Sequence, residues 1–148
     1  MNREYKLEVL DKVDAKTITE ITSLLIQLNP DFNPPVRIKD IKRVIDFPEA
    51  TIFVVRDKNK EIVGMVTLIG YPQIEGMMKV WLEDLVVDKN HRKKGLGKKL
   101  VKEALKKARE LKKKSVCFTS RLSRKIANKF YKKMGFKLKE TNYYRYDL

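Results

Sequence analysis

Cysteine and histidine are nearly absent from this sequence of 148 residues, which contains only Cys117 and His91 of these two types. A lone cysteine cannot form an intrachain disulfide and is typical of proteins from a reducing compartment. Without a cluster of cysteine and histidine, we expect no metal site. We interpret Cys117 as a core residue on a short strand and His91 as a loop residue outside the chemistry.

Long apolar runs are missing as well. No segment approaches the roughly 20 apolar residues that a transmembrane helix needs, and the N-terminal stretch MNREYKLEVL is charged, unlike a signal peptide. We therefore expect a cytoplasmic protein without a membrane partner. A length of 148 residues with 43% hydrophobic residues is typical of one soluble domain, which we expect to span residues 1–148.

Basic residues, in contrast, are abundant and unevenly distributed. The chain has a net charge of +15, but residues 89–139 alone contain 21 basic and two acidic residues, a local charge of +19. Residues 1–88, with 12 basic and 15 acidic residues, have a net charge of −3. A solvated lysine-rich surface does not explain this asymmetry, which indicates that the second part of the chain binds an anion.

Hydrophobic periodicity predicts a mixed α/β fold with a mostly antiparallel central sheet flanked by helices. The predicted order is β-α-α-β-β-β-α-β-α-β-β. Apolar spacing predicts helices within residues 18–28, 38–45, 96–111 and 126–134, the last closed by Gly135. Alternating or β-branched runs predict strands at residues 5–10, 51–57, 61–69, 79–88 and 115–120 and in the C-terminal runs FKLKE and YYRYDL.

The stretch HRKKGLGKKL, residues 91–100, lies where a predicted strand gives way to a helix. A helix N-terminus exposes unpaired N–H groups and the positive end of the helix dipole, so it binds anions. Glycine at positions 95 and 97 lets an anion approach the backbone without a Cβ in the way. The spacing matches neither a Walker loop nor the dinucleotide fingerprint GxGxxG, but a pyrophosphate fits the arrangement.

Two separated motifs resemble those of the GCN5-related N-acetyltransferase (GNAT) superfamily. The run RKKGLG fits the superfamily pattern Arg/Gln-x-x-Gly-x-Gly/Ala, and ANKFYKKMGF, within residues 123–136, fits Ala-x-x-Phe/Leu-Tyr-x-x-x-Gly-Phe. The preceding LEDLVVDKNHR resembles the strand that leads into the first motif, and the predicted element order is that of the superfamily. The resemblance covers nearly the whole chain and implies the GNAT fold with acetyl-CoA as co-substrate.

The resemblance also implies roles for individual residues. The N–H groups of residues 93–98, together with Arg92, hold the pyrophosphate. A backbone N–H at Val86 or Val87 stabilises the developing oxyanion, and Tyr131 donates a proton to the departing thiolate. The implied cofactor-binding residues are Leu85, Val86, Val87, Arg92, Lys93, Lys94, Gly95, Leu96, Gly97, Lys98, Asn128 and Tyr131.

The second motif departs from the superfamily at one position. Many members carry Asn three residues before the alanine, where this chain has Arg124, while Asn128 follows the alanine. Which of the two contacts the pantetheine arm therefore stays open. Tyr131, in turn, could pack beside Phe130 without a role in the chemistry.

A primary amine must lose a proton to attack a thioester, so a general base or a water chain is expected. Glu83 is the first candidate and Asp84 the second, although either could be an ordinary salt-bridge partner. Strand alternation predicts one face with Trp81, Glu83, Leu85 and Val87 and the other with Leu82, Asp84 and Val86.

We therefore predict an N-acetyltransferase that moves an acetyl group from acetyl-CoA to a primary amine by direct attack in a ternary complex. The acceptor is a small amine or a protein lysine or N-terminus, and residues 27–40 carry no signature that selects one. The alternatives are a non-catalytic acyl-CoA-binding module and a basic nucleic-acid-binding protein. Residues 89–115 lack aromatics that would stack on bases, which disfavours nucleic acid. The C-terminal NYYRYDL could pair at a sheet edge, which would give a homodimer.

Overall fold

The computed structural model describes residues 4–33 and 35–148, and the chain packs into two compact units, Met1–Phe118 and Thr119–Leu148. Among the described residues, the first unit contains a four-stranded sheet and three α-helices, and the second contains one α-helix. The expectation of a single domain over residues 1–148 stays a prediction.

The sheet of the first unit is antiparallel throughout, with its strands side by side in chain order. The strands are β1 (Lys6–Val9), β2 (Ala50–Arg56), β3 (Ile62–Pro72) and β4 (Met78–Val87). The turn between β2 and β3 is built on Asp57, whose carboxylate accepts hydrogen bonds from the N–H groups of Asn59 and Glu61, both at 2.9 Å. Lys60 completes this turn with a left-handed backbone, φ 64°.

The helices follow the apolar periodicity of the sequence. They are α1 (Ala15–Leu28), α2 (Ile38–Ile45), α3 (Leu96–Glu110) and α4 (Lys125–Lys133), and a single 3₁₀ turn covers Lys89–His91. Asp14 caps α1, because its carboxylate accepts hydrogen bonds from the N–H and the hydroxyl of Thr17, both at 2.8 Å. In the described ranges, no helix is both long and apolar enough to span a membrane.

Helices cover both faces of the sheet within the first unit. On one face, α1 contributes Ile21 and Leu24 to the core and α2 contributes Ile41. On the other face α3 packs closely, since a Cβ added at Gly64 of β3 would lie only 3.3 Å from Leu100 Cδ1. Full burial of one leucine stabilises the fold by about 1.5–3 kcal/mol. The sheet, packed on both faces, thus positions the residues at the end of β4.

The predicted fold class is confirmed, and the predicted order holds from β1 to α3 and again at α4. Gly135 closes α4 with φ 92°, as predicted from its place after the apolar repeat.

The strand predicted at residues 115–120 is wrong beyond a single bridge. Cys117 alone bonds to the edge of β4: its N–H donates to the Val80 carbonyl and its carbonyl accepts from the Leu82 N–H, both at 2.9 Å. Asp84 follows two residues later on β4 with φ 55°. A backbone that turns away at this point ends the straight edge that a longer parallel strand would need.

The two C-terminal strands predicted in FKLKE and YYRYDL are also wrong, because no described residue after α4 belongs to a strand. Their apolar side chains alternate in sequence but have no core to cover. Leu138 is 83% exposed, and Tyr143, Tyr144 and Tyr146 are 76–87% exposed. Alternation predicts a strand only where one face is buried. Edge pairing of this segment in a homodimer stays a prediction.

Candidate active site

The centre of β4 contains a β-bulge. On β3 one residue separates Thr67 from Met65, whereas on β4 two residues separate their partners Glu83 and Val86. The extra residue is Asp84, whose φ of 55° lies in the left-handed region. Bulges turn side chains in new directions and are frequent beside active sites. The residues that the sequence proposed for catalysis therefore lie at an irregular point of an otherwise regular sheet.

This bulge corrects the predicted faces of β4. The register puts Val86 on the same face as Glu83, towards α1 and α2, and puts Leu85 and Val87 on the α3 face. The prediction had grouped Leu85 and Val87 with Glu83 and had placed Val86 on the other face. It was wrong because one extra residue, Asp84, shifts the two-residue alternation by one. Alternation in a sequence carries no sign of such an insertion.

The side chains of Glu83 and Asp84 are both exposed, although neighbouring protein atoms partly desolvate their carboxyl groups. Burial raises the pKa of the Glu83 carboxyl, and the adjacent charge of Asp84 raises it further. Burial alone raises the pKa of Asp84. Neither carboxylate forms a salt bridge with a cation of the described residues. The geometry therefore does not favour the reading of these acids as ordinary salt-bridge partners.

The outer edge of β4 changes its partners along the strand. At Leu82 the edge is bonded to Cys117, whereas at Val87 the carbonyl accepts a hydrogen bond from Arg92 Nε at 3.0 Å. The Asp88 N–H instead donates to Val63 of β3, at 2.9 Å. Because N–H and C=O groups of successive strand residues point to opposite edges, the Val87 N–H points outward like its carbonyl. Of the two predicted oxyanion donors, Val87 is the one on the open edge.

A short basic turn connects β4 to α3. After the 3₁₀ turn, Lys93 (φ 61°) and Gly95 (φ 77°) both have left-handed backbones, and α3 begins at Leu96. The first backbone N–H to bond within this helix is that of Lys99, which donates to the Gly95 carbonyl at 3.1 Å. The N–H groups of residues 96–98 precede it and have no partner within the helix. Three backbone donors thus lie at the start of α3.

The charges at this helix start oppose its dipole. Its first turn contains no acidic residue, and no side chain caps it. Lys98 and Lys99 lie there instead, next to Lys93 and Lys94. Positive side chains at a helix N-terminus are unfavourable, whereas a bound anion is favourable there. The local charges therefore favour an anion here, and the phosphate site expected from the glycines and lysines stays a prediction.

A glutamine that the sequence did not single out braces the start of this turn. Gln27, at the end of α1, donates from Nε2 to Asp88 at 2.7 Å and accepts from the Lys89 N–H at 2.9 Å. The Asn90 N–H donates to the same Asp88 carboxylate at 2.8 Å. Burial alone would raise the pKa of Asp88, but the hydrogen bonds from Gln27 and Asn90, together with the charges of His91 and Lys89, outweigh it and lower the pKa. Sixty residues of sequence separate Gln27 from Asp88, so no local sequence pattern predicts their contact.

The second unit carries the remaining predicted site residues on and before α4. Tyr131 is buried, and its ring makes edge contacts with Phe130 and Phe136 at centroid distances of 5.4 and 6.1 Å. Burial raises the pKa of the Tyr131 hydroxyl, although the charge of Arg124 opposes this. The hydroxyl is therefore protonated at neutral pH. Both readings of Tyr131, packing and proton donation, fit this environment.

Asn128 and Arg124 differ in the hydrogen bonds that their side chains make. Asn128 donates from Nδ2 to the Arg121 carbonyl at 3.0 Å, a bond that ties the start of α4 to the preceding turn. Arg124 precedes α4 as its N-cap residue, and its side chain makes no cap hydrogen bond there. The side chain of Arg124 is thus the more available of the two for contact with the pantetheine arm.

A cavity of about 400 Å³ lies elsewhere in the first unit, between α1, the start of β3 and the 3₁₀ turn. None of the predicted catalytic or cofactor-binding residues lines it. Its polar lining includes Lys16, Glu20, Ser23, Glu61, Asp88 and His91. The candidate site is instead the open edge of β4 together with the turn that follows it.

Comparison with known proteins identifies the family of this chain. The model of the acetyltransferase (GNAT) family matches residues 21–136, which is more than half of the chain. No curated protein sequence matches.

Solved structures match over nearly the full length. An acetyltransferase from Trypanosoma brucei is 26% identical, with a TM-score of 0.78 over 98% of this chain and 100% of that chain. Glucosamine-6-phosphate N-acetyltransferase from Arabidopsis thaliana is 20% identical, with a TM-score of 0.76 over 96% and 97%. AAC(6')-Iy in complex with the bisubstrate analogue CoA-S-monomethyl-acetylneamine is 15% identical, with a TM-score of 0.79 over 97% and 99%.

Proposed function

Because this chain belongs to the GNAT family of acetyltransferases, we propose that it transfers the acetyl group of acetyl-CoA to a primary amine by direct attack in a ternary complex. The observation that carries the proposal is the junction of β4 and α3. A bulged strand with an open edge leads through a short basic turn into a helix start that offers three free N–H groups, no acid and several lysines. A thioester bound along the strand with its phosphates at the helix fits both halves of this junction.

In the phosphate half of the site, backbone N–H groups contribute more to anion binding than side chains do. The N–H groups of residues 96–98 donate to the pyrophosphate, and the left-handed turn at Lys93 and Gly95 brings the amides of residues 93–95 towards the same anion. Arg92 is anchored through Nε to the Val87 carbonyl at 3.0 Å, which leaves its other guanidinium nitrogens for a phosphate.

The chemical steps are assigned to residues of β4 and, from the family resemblance, to Tyr131. The amine nitrogen attacks the thioester carbonyl, a C–N bond forms, and the C–S bond breaks. The outward N–H of Val87 donates to the carbonyl oxygen as it becomes negative. The amine proton passes to Glu83, directly or through water, and Tyr131 gives its proton to the departing thiolate. Asp84 is the second candidate for the base.

The environments of these groups suit their roles. A base works best when its pKa is near the working pH, and burial and the Asp84 charge raise the pKa of Glu83 in that direction. A proton donor must be protonated at neutral pH, and burial raises the pKa of Tyr131. Leu85 and Val86, which flank the open edge with Val87, would line the thioester, and Arg124 or Asn128 would contact the pantetheine arm.

We propose that the acceptor is an amine of a small molecule or of a protein. We also propose that the enzyme itself is cytoplasmic and acts as one domain. The names of the solved relatives point to unlike amines, an amino sugar phosphate and an aminoglycoside fragment. The acceptor of this chain therefore cannot be carried over from either. Its own charges are a better guide, since residues 1–88 have a net charge of −3.

The test is to incubate the protein with acetyl-CoA and a panel of amines and to measure release of the CoA thiol. We expect release with at least one amine and its loss in Tyr131→Phe. Tyr144→Phe is the matched control, because Tyr144 is 84% exposed. Acetyl-CoA binding without turnover of any amine would favour the non-catalytic module. Thermal stabilisation by an oligonucleotide but not by acetyl-CoA would favour nucleic-acid binding.

A further inference from the structure

Tyr5 joins the N-terminal end of the sheet to the phosphate turn. Its side chain is only 7% exposed. Its hydroxyl accepts a hydrogen bond from Lys94 Nζ at 2.8 Å and lies 3.1 Å from His91 Nδ1. The His91 ring stands edge-on to the tyrosine ring at 5.8 Å, and the Lys94 ammonium lies 5.5 Å from the centre of that ring. One buried tyrosine therefore holds two residues of the turn.

The turn has a conformation that needs such support. Lys94 lies between Lys93 and Gly95, both with left-handed backbones. A left-handed lysine is disfavoured on its own and persists only where the surrounding structure fixes it. Among the described residues, the side-chain hydrogen bond that Lys94 makes is the one to Tyr5. The anchor acts at the middle residue of the strained turn.

The contact with Tyr5 gives the Lys94 side chain a different role from those of the Lys93 and Lys98 side chains. Its ammonium is directed at the hydroxyl and the ring of Tyr5, and the hydrogen bond to Tyr5 raises the pKa of Lys94. Lys93 and Lys98 form no salt bridge with the described residues and stay available to an anion. The Lys94 side chain therefore tethers the turn to Tyr5.

We propose that Tyr5 is a positioning residue for the donor substrate, which acts through Lys94 and His91 to hold the turn at residues 91–97 with its amides aimed at the pyrophosphate. This inference rests on the proposed function. It concerns the phosphate half of the site only, so Tyr5 should affect donor binding and not the transfer step.

The experiment compares two donors in the wild type and in Tyr5→Phe, which keeps the ring and removes the hydroxyl. Acetyl-CoA carries the pyrophosphate, whereas S-acetylpantetheine lacks all phosphates. Loss of a hydrogen bond to a charged group corresponds to roughly a tenfold change in affinity, so Kd and KM for acetyl-CoA should rise about tenfold at unchanged kcat. KM for S-acetylpantetheine should not change. Tyr71→Phe is the matched control, because Tyr71 lies on β3 and is 43% exposed.

A second variant tests whether the weaker binding in Tyr5→Phe comes from a displaced turn or from a loss of fold. Lys94→Met keeps an unbranched side chain and removes the ammonium, and it should weaken acetyl-CoA binding by about as much as Tyr5→Phe. The double variant should be no weaker than Tyr5→Phe alone, because Tyr5→Phe already removes the interaction that Lys94→Met removes. Amide hydrogen exchange at His91 and Lys99, whose N–H groups donate to the Asp88 and Gly95 carbonyls, should speed up in both single variants.

The outcomes separate this inference from the proposed function. An equal rise of KM for both donors, or an unchanged Kd for acetyl-CoA in Tyr5→Phe and Lys94→Met, would overturn the positioning role alone. A wild-type protein that binds no acetyl-CoA would overturn the proposed function as well. The phosphate-dependent loss with unchanged kcat is the result that supports the role of Tyr5.

Discussion

Asp84 follows Glu83 at the bulge of β4, and its negative charge adds to the effect of burial in raising the pKa of the Glu83 carboxyl. The two carboxylates are neighbours in sequence, and the backbone of Asp84 is left-handed. A carboxylate whose pKa is raised is a better acceptor for the proton of an amine at neutral pH. Because Asp84 raises the pKa of Glu83, the role of Glu83 can be tested by measuring the reaction rate as a function of pH.

Replacing Asp84 should move the acid limb of the pH–rate profile. Only deprotonated Glu83 accepts the amine proton, so kcat/KM for the acceptor should fall as pH drops through the raised pKa of Glu83. Asp84→Asn removes one of the two causes of the shift, so the limb should move to lower pH. Glu75→Gln neutralises an exposed acid in the loop before β4 and should leave the profile in place. An acid limb that stays unchanged in Asp84→Asn would argue against Glu83 as the base.

The same shift has a consequence for stability. Burial raises the pKa of Asp84 in the folded state above its unfolded value, so the folded protein binds the proton more tightly. The free energy of unfolding therefore falls as pH rises through this window, and the cost persists above it. Asp84→Asn lacks that cost, so its Tm relative to the wild type should be higher at pH 7 than at pH 3. A difference in Tm that does not vary with pH would reflect only the fit of asparagine to the left-handed backbone.

Much of this molecule follows from its sequence, and the exceptions have identifiable causes. The apolar repeats predicted α1 to α4, and the glycines and lysines of residues 91–100 predicted the turn before α3, because both are local patterns. The bulge at Asp84 was missed, since nothing in the sequence MKVWLEDLVV marks which residue is inserted. Gln27 and Tyr5 were missed because their partners are 61 and 89 positions away. The C-terminal strands were predicted from alternation alone, without a face to bury.

Removing the Tyr131 hydroxyl should separate chemistry from binding. Tyr131→Phe keeps the contacts of the ring with Phe130 and Phe136, so the fold and the Kd for acetyl-CoA should be nearly unchanged. Loss of a general acid costs about 10²–10⁴-fold in rate, so kcat should fall by that order. Steady-state kinetics and calorimetric titration measure the two effects. Tyr146→Phe, at an 87% exposed position, is the control. A loss of fold or of acetyl-CoA binding would assign Tyr131 to packing only.

A branched side chain at the start of α3 should block the phosphate site. Gly97 lies in the first turn of α3, where the free N–H groups are. Gly97→Val introduces a branched Cβ where a pyrophosphate should contact the amides, so calorimetry should show acetyl-CoA binding greatly weakened. Lys102→Val introduces the same side chain at an exposed position of the same helix and controls for helix propensity, an effect of about 0.5 kcal/mol or less. Unchanged affinity in Gly97→Val would remove this turn as the phosphate site.

The charge asymmetry makes the two substrates differ in their response to salt. The turn and helix that should hold the donor belong to residues 89–139, with a local charge of +19, whereas residues 1–88, with −3, include Glu83 and Asp84. Exposed charges are screened over about 8–10 Å at 0.10–0.15 M ionic strength, so KM for acetyl-CoA should rise clearly with added salt. Lys98→Gln removes one exposed charge beside the amides and should make that rise less steep. KM for a cationic amine acceptor, attracted by only a small excess of acids, should change much less. If the preferred acceptor proved to be a polyanion with the steeper salt dependence, the assignment of donor and acceptor to these two parts of the chain would be wrong.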